Sequence, residues 1–173
     1  MAEKSEKSRF EQIVEILVRH GVEFIVIGGQ AETLFGSPRV TYDVDLCYRR
    51  SPANLNRLAT ALREIQPTLR GAPTDLPFRI DAQSLALGSN FTFDTPYGAL
   101  DLLGWVEPLG DFDALANRAA TLPLGPYDIM VISLDDLITV KQHIQRPKDR
   151  DSLFQLLAIR RIRDESKNPP KNE

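Results

Sequence analysis

The chain has 173 residues, of which 42% are hydrophobic and 26% charged, a composition that supports one packed globular domain and excludes a disordered or fibrous chain. Lys and Arg total 21 and Asp and Glu 24, a net charge of −3, which excludes a strongly basic nucleic-acid glove and leaves room for a local basic patch. The single cysteine, Cys47, excludes an internal disulfide, fits a reducing cytoplasm and reads as a small core residue in an apolar strand.

The first eight residues are polar and are expected to be disordered. From Arg9 to His20 the apolar residues Phe10, Ile13, Val14, Ile16, Leu17 and Val18 recur at helical spacing, and Gly21 stands where a helix stop belongs. Val22 to Ile27 is β-branched and apolar, which predicts a buried strand. Gly28-Gly29 breaks it, Gln30 to Phe35 reads as a short helix, and Val40 to Tyr48 as a second strand. Ser51-Pro52 starts a helix that runs to about Ile65. Pro67 to Pro77 reads as a loop, Phe78 to Phe93 as short strands and turns, and Ala99 to Trp105 as a third main strand. A short helix from Asp111 to Ala120, a strand from Tyr127 to Ser133, a helix after Ser133 and a last helix from about Lys148 to Arg163 complete the pattern. The expectation is one domain over residues 9–163, with C-terminal helices from about 134 and a disordered tail at 164–173. Strands and helices mix, so the class is α/β or α+β. No apolar run reaches the roughly 18 residues of a membrane span and no secretory segment follows Met1, so a cytoplasmic protein without a membrane partner is expected.

Asp43 and Asp45 fall in the second expected strand, where alternation points them the same way. Two carboxylates roughly 7 Å apart along a strand repel each other. Either they stand on a solvated face, or a cation sits between them, and a hard ion such as Mg²⁺ takes oxygen ligands of this kind. Asp101 is a lone acid in the apolar strand "GALDLLGW", and three acids on neighbouring strands would make a two-metal site for phosphoryl or nucleotidyl transfer. Gly28-Gly29 is either a tight strand-to-helix turn or a place where the backbone approaches a phosphate; its spacing is neither a dinucleotide fingerprint nor a P-loop.

Together these stretches resemble a known family. "GVEFIVIGGQA", "RVTYDVDLCY", "NFTFDTPYGALDLLG" and "VKQHIQRPKDRDSLFQL" are similar to the DNA polymerase β-type nucleotidyltransferase superfamily, in particular its small prokaryotic members related to abortive-infection-type toxins. The resemblance implies a mixed β-sheet flanked by helices. It implies that Asp43, Asp45 and Asp101 are catalytic and hold one or two Mg²⁺ ions, with Mn²⁺ as a substitute, and that Asp101 helps to deprotonate the acceptor. Gly28 and Gly29 would hold the triphosphate; the family often has serine where Gly29 stands. Arg39, Lys141 and Asp149 are further nucleotide-binding candidates. Lys141 also reads as a surface lysine and Arg39 as a partner for an acid. In "KDRD" the second acid comes one residue earlier than in the toxin motif, and Asp149 and Asp151 could equally favour a helix dipole. The implied function is Mg²⁺-dependent transfer of a nucleoside monophosphate from an NTP to a small molecule, tRNA or protein, with release of pyrophosphate. Two alternatives stand beside it: a tRNA-modifying toxin with an antitoxin partner, and a catalytically inactive binding module. Such toxins usually carry a larger helical domain than the forty or so residues after Ser133, and inactive members typically lose the acids. His143 and the Arg160, Arg161, Arg163 cluster read as surface residues, and Trp105, Phe91 and Phe93 as core.

Overall fold

A computed structural model describes residues 6–73 and 75–169; the expected disorder at 1–5 and 170–173 lies outside the described residues. Helix α1 (Arg9–Arg19) begins at a reciprocal cap. Ser8 Oγ accepts from Glu11 N, and the Glu11 carboxylate accepts from Ser8 N. It ends where Gly21, at φ +70°, lets Gly21 N donate to Val18 O and Val22 N to Leu17 O. Strand β1 (Phe24–Ile27) is buried along its whole length and runs straight into α2 (Gly28–Leu34). Then come β2 (Val44–Tyr48), α3 (Pro52–Ile65), β3 (Thr68–Leu69), α4 (Ala82–Leu87), β4 (Asn90–Thr95) and β5 (Gly98–Leu103). They are followed by α5 (Phe112–Ala116), β6 (Ala120–Leu124), β7 (Tyr127–Val131), α6 (Leu134–Ile144), a 3₁₀ turn at Pro147–Asp149 and α7 (Arg150–Lys167).

The strands form one mixed sheet in the order β3-β4-β5-β2-β1-β7-β6. At its centre β2 pairs antiparallel with β1 and parallel with β5, and β1 pairs parallel with β7. Helices flank this sheet, so the expected class holds. Ile13 and Leu17 of α1, Leu58 and Leu62 of α3, and Ile25, Leu46, Leu100 and Leu102 of the central strands are fully buried. Burying each such side chain contributes roughly 2 kcal/mol. One polar tie crosses this core. Asn54 of α3 accepts from Glu23 N and donates to Glu23 O and Arg49 O, joining the entry to β1 with the exit from β2. Among the described residues no helix is long and apolar enough to cross a membrane.

Several expected elements differ. Strand β2 begins at Val44 rather than Val40, because residues 39–43 bond to α2 instead of to a neighbouring strand. The expected proline-rich loop contains β3, a two-residue edge strand on β4. The region expected as strands and turns contains α4, capped by Asp81, whose Oδ1 accepts from Ser84 N. The strand β6 was not expected; Pro123 lies within it, which an edge position tolerates. The last helix continues through Lys167 rather than ending near Arg163.

Candidate active site

Asp45 and Asp101 are register partners on the parallel strands β2 and β5. Partners in adjacent strands stand on the same face with backbones roughly 4.8 Å apart. The same row continues to Ile27 of β1 on one side and Thr92 of β4 on the other. Asp43 lies one residue before β2, not within it. Its alternation persists all the same: Arg39, Thr41 and Asp43 line a cleft of about 480 Å³ that Asp45 and Asp101 share, while Val40 and Tyr42 are exposed.

Helix α2 fixes that irregular segment. Gln30 Nε2 donates to Thr41 O at 3.2 Å and Asp43 O at 3.4 Å, and Thr33 Oγ1 donates to Arg39 O at 3.2 Å. Gln30 is buried, while Thr41 is half-buried and Asp43 exposed. Gly28 takes φ +64°, and a Cβ there would collide with the Asp45 carboxylate. A Cβ at Gly29 would press on the Thr41 side chain at 2.9 Å. Ile27 gives α2 no side-chain cap, so the first N–H groups of the helix have no side-chain acceptor and face the acids across a bare turn.

The electrostatics of the row are unbalanced. Burial pushes the Asp45 carboxyl up to about 6, and repulsion from Asp101 and Asp43 adds to it, while Lys141 and Arg70 act the other way. Asp101 Oδ1 is buried and accepts no hydrogen bond. Its nearest cation is Arg70, with Nη2 at 3.1 Å, close enough for an ion pair but not aligned to donate. Carboxylate oxygens short of positive charge suit a hard divalent cation, so the residues fit the Mg²⁺ or Mn²⁺ that the resemblance implies. As they stand, no three Asp, Glu, His or Cys side chains among the described residues converge on a common metal-sized point.

Lys141 is no surface lysine. It is 10% exposed, with Nζ 2.6 Å from Glu32 Oε1 and 2.9 Å from Asp149 Oδ1. Glu32, on α2, is fully buried. Arg39 completes the group, with Nη1 at 3.5 Å from Glu32 Oε2 and 4.0 Å from Asp149 Oδ1, and donating to Ser152 Oγ at 2.9 Å. Burial works against the Asp149 carboxylate, but Lys141, Arg146 and Arg39 outweigh it and hold the carboxyl below its ordinary range. The structure thus brings Gly28, Gly29, Arg39, Asp43, Asp45, Asp101, Lys141 and Asp149 onto one cleft. His143 is exposed, as expected. Trp105, expected in the core, is instead 50% exposed and lines the cleft. Gln30, Glu32 and Arg70 were not anticipated. Only a buried acid at the expected second helix could have drawn attention to Glu32.

No protein-family model matches the sequence, and no curated protein matches it. Solved structures do. The lincosamide antibiotic adenylyltransferase LnuA, in its lincomycin-bound crystal structure, is similar over 87% of this chain and 96% of its own, with a TM-score of 0.61 at 15% identity. The antibiotic-resistance factor ANT(2'')-Ia, in solution, is similar over 87% of this chain and 80% of its own, with a TM-score of 0.58 at 12% identity. A Thermotoga maritima protein named as a candidate nucleotidyltransferase is similar over 86% and 90%, with a TM-score of 0.53 at 15% identity. The chain has the nucleotidyltransferase fold.

Proposed function

We propose that the protein is a nucleotidyltransferase that moves a nucleoside monophosphate from an NTP to an acceptor hydroxyl and releases pyrophosphate. The observation that carries this is the register pair Asp45 and Asp101, set beside a glycine turn that leaves no side chain between them and an uncapped helix start. Asp43, Asp45 and Asp101 would hold a divalent cation, Mg²⁺ with Mn²⁺ as a substitute. When bound, such an ion would supply charge neutralisation for the phosphates. Gly28 and Gly29 present backbone N–H groups to the triphosphate. Lys141 and Arg39, ion-paired with Glu32 and Asp149, line the same cleft and would offer N–H donors to the phosphates there. In the transfer, the acceptor oxygen bonds to the α-phosphorus as the bond from that phosphorus to the pyrophosphate oxygen breaks. Asp101 takes the hydroxyl proton.

The acceptor class follows from the neighbours as a proposal. LnuA is described with lincomycin and ANT(2'')-Ia with adenylyl-2''-tobramycin, both small molecules. That favours a small hydroxylated acceptor over tRNA for this chain. Calorimetry with each of the four NTPs and Mg²⁺ tests the reading. Saturable, Mg²⁺-dependent binding is expected in the wild type and its loss in a folded Asp43→Ala/Asp45→Ala variant. A folded wild type that binds none of the four overturns it.

A further inference from the structure

Arg70 lies just past β3 and is the cation nearest the third acid. Its backbone N donates to Thr92 O, so it sits beside Thr92, and Thr92 sits beside Asp101. Arg70 therefore reaches over the whole width of β4 to meet a residue two strands away. On the way it is anchored twice. Nε donates to Asp94 Oδ1 at 3.0 Å and Nη2 to Phe93 O at 2.8 Å. Only then does Nη2 come within 3.1 Å of Asp101 Oδ1, without forming a hydrogen bond. The two anchors do not depend on Asp101, and the side chain is 37% exposed. A planar, forked guanidinium can hold both while its charge faces the acid; a lysine ammonium cannot.

We propose that Arg70 is a built-in counter-cation and positioning residue for Asp101. It holds the carboxylate in the row with Asp45 while no divalent cation is bound, and gives up Asp101 Oδ1 when a cation enters. This rests on reading the row as the cation site of a nucleotidyltransferase. It makes the cation requirement a competition: each divalent ion that engages Asp101 does so against the fixed charge of Arg70.

Competition has an unusual signature, because removing Arg70 should strengthen cation binding. Mn²⁺ is titrated without nucleotide and followed by electron paramagnetic resonance. The proteins are wild type, Arg70→Gln, Arg70→Lys and Asp45→Asn. Arg70→Gln is expected to bind Mn²⁺ about five- to tenfold tighter, and Arg70→Lys, which keeps the charge but not the two anchors, to fall between Arg70→Gln and the wild type. A purely structural Arg70 would leave affinity unchanged or weaken it, and either result in a folded variant overturns the proposal. A second measurement needs no Arg70 variant: in wild type with ¹⁵N-labelled arginine, Mg²⁺ should shift the Arg70 Nε resonance, and should not in Asp45→Asn. No shift in the wild type also overturns it. Mn²⁺ binding by wild type that Asp45→Asn abolishes, with no gain in Arg70→Gln, removes this inference and leaves the function standing. No Mn²⁺ binding by wild type removes this inference, and the function then stands or falls on the NTP calorimetry, in which substrate phosphates complete the cation site.

Discussion

Lys141 Nζ stands 2.6 Å from Glu32 Oε1 and 2.9 Å from Asp149 Oδ1, so two buried acids from different helical segments share one buried lysine. The lysine joins α2, which carries the glycine turn, to the 3₁₀ turn ahead of α7. Removing it leaves two buried carboxylates with only the longer contacts to Arg39, at 3.5 and 4.0 Å. Lys141→Met is expected to cost about 3 to 5 kcal/mol of stability, measured by urea denaturation. Glu32→Gln leaves Lys141 its bond to Asp149 and should cost less. The double variant should fall well short of the sum of the two. Additive costs would mean that the contacts do not act as a unit.

The glycine turn makes a sharper claim. The resembling family often places serine at the position of Gly29, yet here a Cβ at Gly29 would press on Thr41 Cγ2 at 2.9 Å. Gly29→Ser alone is therefore expected to lose about 1 to 3 kcal/mol through overpacking. Adding Thr41→Ala removes the contacts to Cγ2 and Oγ1 and leaves the one to Cβ at 3.1 Å, so it should restore part of the loss. Thermal denaturation of the three proteins checks this. No recovery in the double variant would place the strain in the backbone instead.

Gly28 differs in kind from Gly29. Its φ of +64° and the Asp45 carboxylate both exclude a side chain. Gly28→Ala should disturb the acid row itself, so Mg²⁺-dependent NTP binding by the folded fraction should fall at least tenfold, whereas a backbone penalty on folding alone would leave that affinity unchanged. Calorimetry at matched folded fraction separates the two effects.

How much of this was legible depends on how far a residue's partners lie along the chain. The cap at Ser8, the stop at Gly21 and the helix start at Ser51 are local, and the structure has each of them. Asp45 and Asp101 were legible as acids out of place in apolar strands, although nothing in the spacing says that β2 and β5 are adjacent and in register. The buried Glu32 was invisible because its partner is Lys141, more than a hundred residues on. Arg70 was hidden in a proline-rich stretch that reads as loop, since a two-residue strand leaves no periodicity. Trp105 was misread because an apolar strand predicts burial, but β5 ends at Leu103 and the indole falls beyond it, in the cleft wall.

The acid row predicts a pH dependence whose sign can be worked out. Asp45 has an ordinary carboxyl value of 3.8, pushed up to about 6 in the folded chain, first by burial and then by Asp101 and Asp43. Between those values the folded protein holds a proton that the unfolded chain has released. The stability from this group is therefore fully present below the lower value and is lost as pH rises through the upper one. The rise from 3.8 to about 6 bounds the loss at about 3 kcal/mol. The metal-free protein should lose stability between about pH 4 and pH 7, and Asp45→Asn should flatten that slope. Mg²⁺ competes with the same proton. Its stabilising increment should be near zero at about pH 5 and grow above about pH 6. Denaturation midpoints across this range, with and without Mg²⁺, decide it. An unchanged slope in Asp45→Asn would show that Asp45 is not the titrating group, and the acid row would lose its claim to a neutralising cation.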